Sequence, residues 1–492
     1  MEKVKFDSVV QAVYEHAVIN PDKLCLADDD REVTYKEYKE YIGKLAGYYK
    51  TLGIEKNDNV VIEATQSIEL LGTELALHII GAVFVPLERK CGSEKLIEIA
   101  DTTDAKLIVS VDVIDNTERK CITYKDILEN VDKYDEIPPV FPKRENVSEI
   151  LFSTGTTGKE KGIICTHGND IALAENVMDG VKMEKDNVEM IPSPFNHSHG
   201  LRRYYANMVC GATVITCTGL MNLGVFFGTL DKYGVNSMDI VPTAMSILLK
   251  LSKNKFAEYK DVLRYIQLGA APIMENDKAK MKELLPNTHL YNFYGSTESG
   301  CICIYDFNVG NEKKNCIGKP AFNADIRIVD EDGNEIKSDE EHTGLLASFG
   351  AMNMLGYWHD EEETKKALRN GGIYSNDEAY FDEDNDIILL GRKGDVINVG
   401  GNKVTPEEIE NAAKKLDYIK DCGCIGVDDA LKGKVPKLFV VAEGNEELDV
   451  LKVRKDLYAY LESFKVPRYV VQINEIPRTY NGKILRKELR KL

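Results

Sequence analysis

Apolar residues in the N-terminal half of the chain recur with two different spacings. Between positions 35 and 49 they follow a helical period, and the letters TYKE at 34–37 form a capping box that marks the helix start. A second helix is predicted at 68–80. Short apolar runs typical of buried strands occur at 59–62, 82–86, 107–109, 212–215 and 238–241. This alternation predicts an α/β fold of layered sheets and helices.

The pattern changes near the acidic run DEDND at 382–386, which we interpret as a solvated turn before a last strand at 387–390. A domain boundary is predicted at 391–395, and the remaining stretch of about 100 residues has the size of a small domain. It begins with TPEE at 405–408, where a threonine N-cap, a proline and a capping-box glutamate predict a helix. We therefore predict a large N-terminal α/β domain and a small C-terminal α+β domain.

Composition and charge exclude several classes of protein. The 492 residues are 43% hydrophobic and 29% charged, as in ordinary globular proteins, and the net charge of −19 disfavours binding to nucleic acid or anionic membranes. The longest apolar stretch, at 75–87, is too short to span a bilayer, and the N-terminus lacks the apolar segment of a secretory signal. Eleven cysteines form neither a disulfide framework nor a metal-binding spacing. We expect a cytoplasmic protein without stable membrane insertion.

The most informative segment is STGTTGKEKG at 153–162, which directly follows an apolar run at 150–152. Its glycines let several backbone N–H groups point at one anion, its hydroxyls add donors, and Lys159 and Lys161 add positive charge. The segment does not have the Walker A pattern. Its composition predicts a phosphate-binding loop; the alternative is a flexible turn of glycine and threonine.

Five further motifs follow in order: YGSTE at 294–298, YSND at 374–377, GRKGD at 391–395, INVGGNKV at 397–404 and PRTYNGK at 477–483. With the loop at 153–162, the series resembles the adenylate-forming superfamily of acyl- and aryl-CoA synthetases, non-ribosomal adenylation domains and firefly-type luciferases. The resemblance extends from about residue 30 to the C-terminus and is greatest to acyl-CoA synthetases. It implies that a carboxylate attacks the α-phosphate of ATP, which gives an acyl-adenylate and pyrophosphate.

The resemblance implies a role for residues of each motif. Glu298 corresponds to the carboxylate that holds Mg²⁺, Thr297 to a contact of the α-phosphate, and Lys483 to the lysine that bridges the α-phosphate and the attacking carboxylate. Asp377 corresponds to the acceptor of the ribose hydroxyls, with Arg392 nearby. The implied ATP- and AMP-binding set is Ser153, Thr154, Gly155, Thr156, Thr157, Gly158, Lys161, Gly269, Ala270, Ala271, Pro272, Asn292, Phe293, Tyr294, Gly295, Ser296, Thr297, Asp377, Arg392 and Lys483.

The acid pocket is implied by PFNHSHGL at 194–201, which resembles the family motif whose histidine gates the carboxylate. His197 is the counterpart and joins the catalytic candidates, whereas His199 is additional. We see no aspartate of the kind that holds the ammonium in amino-acid-activating relatives, which favours an acyl or aryl acid. We expect Arg202 and Arg203 to face solvent; the alternative is a contact with a second acidic group of the substrate. The implied pocket comprises His197, Val241, Gly269, Tyr294, Gly295 and Gly300.

In this family the second step transfers the acyl group to a thiol after the C-terminal domain has rotated. The resemblance implies a large domain at 1–391, a hinge at 392–396 that contains Gly394, and a mobile domain at 397–492 that carries Lys483. Gly400 and Gly401 are implied to form the tunnel through which the pantetheine arm of CoA passes. Gly400→Leu is therefore expected to block thioester formation and to spare adenylation.

The predicted function is an AMP-forming carboxylate–CoA ligase that uses ATP, Mg²⁺ and CoA, with a role in fatty acid metabolism. The nearest alternative is a stand-alone adenylation enzyme that loads an acyl or aryl acid onto a phosphopantetheine carrier protein. A catalytically silent nucleotide-binding protein is a third. The predicted partners are a small carboxylic acid and either CoA or a carrier protein. The sequence leaves open which acid is used, whether fatty, aryl or dicarboxylic, and the oligomeric state.

Overall fold

The structure, a computed structural model, describes residues 2–115, 117–154, 160–218, 220, 222–310, 313–399, 402–429, 433–444, 447–478 and 482–492. None of the helices in these residues is both long and apolar enough to cross a membrane. In chain order they are α1 Val9–Ile19, α2 Tyr35–Thr51, α3 Ile68–Ile80, α4 Ser93–Thr102, α5 Tyr124–Asn130, α6 His167–Val181, α7 Ser198–Cys210, α8 Leu223–Tyr233, α9 Pro242–Ser252, α10 Glu275–Leu284, α11 Glu361–Ala367, α12 Pro406–Ala413, α13 Val450–Leu457 and α14 Arg486–Leu489.

The strands alternate with these helices through most of the N-terminal half and then become more frequent. In chain order they are β1 Leu24–Ala27, β2 Glu32–Thr34, β3 Asn59–Glu63, β4 Val83–Leu87, β5 Leu107–Ser110, β6 Lys120–Thr123, β7 Val147–Thr154, β8 Glu160–Thr166, β9 Val188–Ile191, β10 Thr213–Thr216, β11 Ser237–Ile240, β12 Tyr265–Gly269, β13 His289–Ser296, β14 Gly300–Asp306, β15 Cys316–Pro320, β16 Asp325–Val329, β17 Gly344–Phe349, β18 Gly356–Tyr357, β19 Leu368–Arg369, β20 Gly372–Phe381, β21 Ile387–Arg392, β22 Ile397–Val399, β23 Asn402–Val404, β24 Ile419–Asp429, β25 Gly433–Ala442 and β26 Tyr469–Gln472.

Three sheets organise these elements. The largest has a parallel core in the order β1-β10-β9-β11-β12-β13, which continues as the antiparallel series β14-β15-β21-β20-β17-β16. The second has parallel strands β6-β5-β3-β4-β7, followed by antiparallel β8 and β18. Strands β3 and β12 are buried throughout, as expected for parallel strands covered on both faces. The third sheet, β23-β22-β25-β24 with β26, comes entirely from the chain after Val396, and the predicted fold class is confirmed.

Several local predictions agree with these bounds, and two details differ. Helix α3 spans the predicted residues, and the capping box at Thr34 forms in both directions. Val241 lies just after β11 as the N-cap of α9, because Pro242 occupies the first helical position, where its missing N–H costs nothing. At the start of α12, Thr405 accepts from the backbone N–H of Glu408, but the Glu408 carboxylate pairs with Lys314 and Lys465 instead of completing a capping box.

Arg202 and Arg203 do not face solvent, so that expectation is wrong. Each side chain is 2% exposed. Arg202 Nη1 donates to Glu149 Oε1 at 2.6 Å and to Asp170 Oδ1 at 3.1 Å. The hydroxyl of Tyr205 donates to the other oxygen of Glu149 at 2.7 Å. A buried guanidinium needs such partners, and the carboxylates of β7 and α6 supply them from distant parts of the chain.

The same buried network supports the hairpin of β7 and β8. Glu149 lies on β7, and Cys165 on β8 lies with its sulfur 3.6 Å from Arg202 Nη2. Glu74 of α3 joins through the Tyr205 hydroxyl. Burial and the nearby Glu149 raise the pKa of Glu74 well above its ordinary value. The Arg202 guanidinium therefore lies among three buried carboxyl groups, those of Glu74, Glu149 and Asp170, at the base of this hairpin.

The acidic run at 382–386 is more ordered than a simple solvated turn. The carboxylates of Asp382, Asp384 and Asp386 surround Lys313 Nζ at 2.7, 2.7 and 2.6 Å. Among the residues that the structure describes, this is the group of acidic side chains whose oxygens lie close enough together to hold a metal ion. The Lys313 ammonium already occupies the point between the three carboxylates and offsets part of their charge, so we assign no metal to the turn.

The C-terminal unit contacts the large unit at several points. Lys314 pairs with Glu408 of α12, and the backbone N–H of Glu275 donates to Asn411 Oδ1 at 3.4 Å. Gly482 packs so closely on the start of α9 that a Cβ atom there would lie 2.4 Å from Thr243 Cγ2. This close contact holds the residue next to Lys483 against the large unit.

Candidate active site

The carboxyl ends of four parallel strands lie along one edge of the largest sheet. Strand β9 leads into the loop with His197, β11 is followed by Val241, β12 ends at Gly269 and β13 ends at Ser296. Ligand sites of open parallel sheets lie at this edge. The topology therefore brings together motifs that are far apart in the sequence.

The hairpin of β13 and β14 carries Thr297 and Glu298 at its tip. The turn is tight, since a Cβ atom on Gly295 would lie 1.7 Å from the carbonyl oxygen of Gly300. Gly300 itself has a φ of +66°, a conformation that favours glycine. The hydroxyl of Tyr357 donates to Glu298 Oε1 at 2.9 Å. The predicted magnesium carboxylate is thus held by a rigid turn and by a tyrosine of β18.

Strands β7 and β8 form an antiparallel hairpin in which Ser153 pairs with Lys161. The predicted phosphate loop connects the two strands. Lys161 Nζ lies 4.9 Å from the ring centre of Tyr357 and pairs with the carboxylate of Glu363 on α11. A lysine ammonium therefore lies beside the tyrosine that holds Glu298. The predictions for Gly155, Thr156, Thr157, Gly158 and the side chain of Thr154 lie outside the described residues, as do those for Gly400 and Gly401 of the CoA tunnel.

The predicted ribose acceptor lies beside the predicted adenine contact. Asp377 and Arg392 are direct partners across β20 and β21, and Arg392 Nε lies 3.5 Å from Asp377 Oδ1. The hydroxyl of Tyr294 donates to Asp377 Oδ2. Burial, and then the charge of Asp377, raise the pKa of Tyr294 well above its ordinary value, so this hydroxyl remains a donor. A small cavity borders both side chains and extends to Ser348 and Ser375.

Strand β12 ends in the predicted adenine-binding run at 269–272. Gly269 lies opposite Phe293 in the parallel register of β12 and β13, one residue beyond the pair of Leu268 with Asn292. A Cβ atom on Gly269 would lie 2.8 Å from His199 Cε1, so glycine leaves the room that the imidazole occupies. Ala270 has a φ of +65°, which is uncommon for a residue with a Cβ atom. Backbone strain of this kind often occurs at functional sites.

The side of the site expected to bind the acid is polar and charged. His199 Nε2 lies 2.8 Å from Asp239 Oδ1, and Arg203 Nε donates to the same oxygen at 3.2 Å. The Arg203 guanidinium lies 4.0 Å from the ring centre of Phe293. Burial alone would raise the pKa of Asp239, but His199 and then Arg203 lower it below its ordinary value. The Ser193 hydroxyl also lowers this pKa, and the second oxygen, Oδ2, is buried.

His197 is the N-cap residue of α7, and its Nε2 lies 3.3 Å from Asn196 Nδ2. Burial lowers the pKa of His197 to about 4, and the charges of His199 and Lys483 act in the same direction. The imidazole is therefore neutral at physiological pH and can donate from one nitrogen and accept at the other. A neutral imidazole can form a hydrogen bond with a carboxylate without neutralising the negative charge of that carboxylate.

The structure brings Lys483 to this site from the C-terminal unit. Part of its side chain stays exposed to solvent, while protein atoms crowd the ammonium. That crowding, and then the positive charge of Arg392, lower the pKa of Lys483, whereas Asp377 and Glu298 oppose the change. The predicted adenylation lysine, the magnesium carboxylate and the ribose carboxylate therefore lie within electrostatic reach of one another.

The donor chemistry around Glu298 suits Mg²⁺. This ion takes one or two protein carboxylates and fills its other positions with phosphate oxygens and water. Glu298 supplies one carboxylate, and the Tyr357 hydroxyl orients it from one oxygen. Bound there, Mg²⁺ would supply positive charge to the phosphates of a nucleotide.

Comparison with known families agrees with this geometry. The family model described as AMP-binding enzyme matches residues 13–358, which is more than half of the chain. The chain belongs to the AMP-binding enzyme family. A second model, the AMP-binding enzyme C-terminal domain, matches residues 408–483 and so includes Lys483. The predicted membership of the adenylate-forming superfamily is confirmed.

Similar members of the family cover almost the whole chain. The 2-succinylbenzoate–CoA ligase of Bacillus cereus is 26% identical over 481 residues, which are 97% of each chain. The o-succinylbenzoate CoA synthetase of Bacillus subtilis, solved with its acyl-adenylate intermediate, superposes with a TM-score of 0.85 at 21% identity and 97% coverage of both chains. ATP-bound MatB from Rhodopseudomonas palustris gives 0.87 at 22% identity, over 99% of this chain and 98% of that one. The two solved structures share the fold of this family member.

Three residues of the site were not found by sequence reasoning. Tyr357 and Glu363 lie in GYWHDEEET at 356–364, where nothing in the residue types indicates contact with a loop two hundred positions earlier. Asp239 did carry a signal, because it is a charged residue inside an apolar run interpreted as a buried strand. A fully buried aspartate is rare unless it has a partner. His199 and Arg203 are those partners.

Proposed function

We propose that this member of the AMP-binding enzyme family is an ATP-dependent carboxylate–CoA ligase. It converts a carboxylic acid and ATP to an acyl-adenylate and pyrophosphate, and then transfers the acyl group to CoA with release of AMP. The observation that carries the proposal is that the packing of Gly482 on Thr243 holds Lys483 at the large unit, within electrostatic reach of Glu298 and Asp377. The activity named for the similar Bacillus cereus ligase supports it. A nucleotide-binding protein without catalytic activity would not require Lys483, Glu298 and Asp377 together.

The first step joins two anions, so the site has to neutralise charge and fix geometry. The Lys483 ammonium lies among protein atoms and near the positive charge of Arg392, and both disfavour its charged form. The negative charges of an incoming carboxylate and α-phosphate stabilise the ammonium. In the structure, Asp377 accepts a hydrogen bond from the Tyr294 hydroxyl. When ATP binds, Asp377 accepts hydrogen bonds from the ribose hydroxyls instead. His197, which is neutral, contacts the acid without competing with the lysine for its charge.

We infer that the acid is short and polar or aromatic, and not a long alkyl chain. Asp239, His199 and Arg203 form a buried charged group beside Phe293 at the proposed acid side. An alkyl chain packed against this group would set apolar carbons against polar atoms that it cannot hydrogen-bond. The similar curated ligase acts on 2-succinylbenzoate, in agreement with this view. The predicted role in fatty acid metabolism finds no support in these observations.

The decisive experiment measures pyrophosphate release from ATP with a panel of acids, each with and without CoA. The panel contains 2-succinylbenzoate, succinate, benzoate, hexanoate and palmitate. Turnover that requires both an acid and CoA supports the ligase, and preference for the polar or aromatic acids supports the inferred substrate class. A single burst that CoA does not extend favours the alternative, transfer to a carrier protein. Release with palmitate alone contradicts the inferred class.

We further propose that the chain between 392 and 396 is a hinge and that the structure corresponds to the adenylation state. Gly394 has a φ of +91°, and a Cβ atom added to it would meet no atom of the described residues within 4 Å beyond its chain neighbours. Gly394→Ala therefore meets no clash, but it strains the backbone of this state by about 1–2 kcal/mol. We expect adenylation to slow about fivefold to thirtyfold, as this energy predicts, and thioester formation from preformed acyl-adenylate to be spared. Stopped-flow assays of the two half-reactions measure both rates.

Gly371→Ala is the matched control for this prediction. Gly371 has a φ of +80° and equally open space around a Cβ atom, but it lies in a turn of the large unit. It carries the same backbone strain without a hinge. Equal effects of the two substitutions, or an equal loss in both half-reactions for Gly394→Ala, would argue against a hinge at this glycine.

A further inference from the structure

Lys161 is the lysine of the predicted phosphate loop that the structure describes, and it is already paired. Its ammonium forms an ion pair with the Glu363 carboxylate, and the two side chains are 18% and 30% exposed. The other Glu363 oxygen pairs with Lys366 at 2.8 Å. These two lysines, Lys161 first, lower the pKa of Glu363 to about 2, so it is a carboxylate at any physiological pH.

The contact is fixed by the surrounding backbone. Strand β18 pairs with β8, so that Tyr357 lies opposite Ile163, and the Trp358 N–H donates to the carbonyl of Gly162 at 2.7 Å. Helix α11 then starts with Asp360, whose carboxylate accepts from the backbone N–H of Glu363 at 3.0 Å. The segment at 356–367 is therefore attached directly to the strand that carries Lys161.

The position of this pair matters because Tyr357 lies between it and Glu298. The Lys161 ammonium faces the Tyr357 ring, and the hydroxyl of the same ring holds Glu298. A polyphosphate that binds Mg²⁺ at Glu298 therefore comes close to Lys161. The Glu363 carboxylate then competes with this polyphosphate for one ammonium and repels it.

We propose that Glu363 is a positioning residue that competes with the polyphosphate for Lys161, weakens the binding of ATP and pyrophosphate, and favours the departure of pyrophosphate. The inference rests on the proposed function, because it takes ATP as the substrate and pyrophosphate as the first product. It differs from a purely structural role for Glu363. A structural role predicts weaker binding or a less stable protein when the carboxylate is removed.

The test is isothermal titration calorimetry of the full-length protein with MgATP and with magnesium pyrophosphate. Glu363→Gln keeps the size of the side chain and its ability to accept from Lys161, but it removes the charge. Removing one negative charge next to the polyphosphate lowers their mutual repulsion, so we expect both ligands to bind about fivefold more tightly. Pyrophosphate is expected to become a correspondingly stronger product inhibitor.

Glu362→Gln is the charge-matched control, because Glu362 is an exposed neighbour on the same helix. We expect it to leave both affinities unchanged. The Lys161→Met variant tests whether Glu363 acts through Lys161. In that variant, adding Glu363→Gln should not change the affinity for either ligand. Weaker binding by Glu363→Gln, equal tightening by Glu362→Gln, or tightening that persists without Lys161 would each overturn the proposal.

These binding measurements need neither an acid nor CoA, so they separate this inference from the proposed function. Tightening by Glu363→Gln together with no acid-dependent turnover would support the competition and contradict the ligase. Acid-dependent turnover without tighter ligand binding by Glu363→Gln would support the ligase and contradict the competition. A wild-type protein that binds neither MgATP nor magnesium pyrophosphate would contradict both. Fluorescence of Trp358, the single tryptophan of the chain, reports whether binding occurs beside this segment.

Discussion

Replacing Lys483 with alanine is expected to slow acyl-adenylate formation by about 10²–10³-fold, the usual cost of losing one preorganised charge-stabilising group. Thioester formation from preformed acyl-adenylate should stay close to the wild-type rate. The reason is that Lys483 reaches the site from the C-terminal unit, beside Arg392, Asp377 and Glu298. A lysine that contacts the α-phosphate and the attacking carboxylate serves the first transition state, and the second step has neither a triphosphate nor a free carboxylate.

The two half-reactions are measured separately, as pyrophosphate release with the preferred acid and as acyl-CoA formation from synthetic acyl-adenylate. Lys487→Ala is the control, because Lys487 is an exposed lysine of the same C-terminal segment. Gly400→Leu is the complementary variant, expected to lose thioester formation and keep adenylation. Intact adenylation in Lys483→Ala would show that the wrong lysine has been assigned. Equal loss in both steps would contradict the account of two conformations.

The parts of this protein that the sequence predicts well are those encoded by short, local patterns. The capping box at Thr34 and the helix at Ile68–Ile80 depend on neighbours within a few positions, and both agree with the structure. The family motifs are similarly local, and Lys483, Glu298 and Asp377 lie within electrostatic reach of one another although their motifs are far apart in the sequence, while their roles stay predictions. The α/β topology accounts for Glu298, which follows the end of β13 at one edge of the sheet, whereas Asp377 comes from the antiparallel strand β20 and Lys483 from the C-terminal unit.

The parts that the sequence does not predict depend on contacts between distant segments. Arg202 was expected at the surface because a charged pair early in a helix usually faces solvent, yet Glu149 and Asp170 pair with it in the core. Nothing in the sequence around Glu363 predicts its ion pair with Lys161, which lies two hundred positions earlier in the chain. Patterns of polarity predict which face of an element is buried. They do not predict which buried charge another element supplies.

Replacing Arg202 with methionine is expected to lower the free energy of unfolding by about 3–5 kcal/mol at neutral pH, the usual cost of removing one partner from a buried ion pair. Methionine fills much of the space, but Glu149 and Asp170 then lose their cation while they remain 0% and 1% exposed. A buried carboxylate without a partner has to bind a proton or draw water into the core. Arg264→Met is the control, because Arg264 is 44% exposed where it pairs with Asp186 and should contribute at most about 1 kcal/mol.

The cost of Arg202→Met is expected to rise with pH. Burial and the charge of Glu149 already raise the pKa of Asp170, and Arg202, followed by the Ser148 hydroxyl, opposes this rise. A carboxyl group with a raised pKa in the folded state keeps a proton that the unfolded chain releases, so its favourable contribution is present at low pH and is lost as the pH rises through the folded-state value. Each pH unit above the unfolded pKa then adds about 1.4 kcal/mol for each carboxyl group that has to stay protonated.

Urea titrations at about pH 5 and about pH 8 measure this dependence, and the variant should be closer to the wild type at the lower pH. A loss no larger than that of Arg264→Met, or a loss independent of pH, would show that the network is hydrated or already protonated and that Arg202 is not its counterion. Glu149 lies on β7 and Cys165 on β8, so the network joins both strands of the hairpin whose tip is the predicted phosphate loop. A variant that folds at low pH should therefore also bind MgATP more weakly, because the base of that hairpin is no longer fixed.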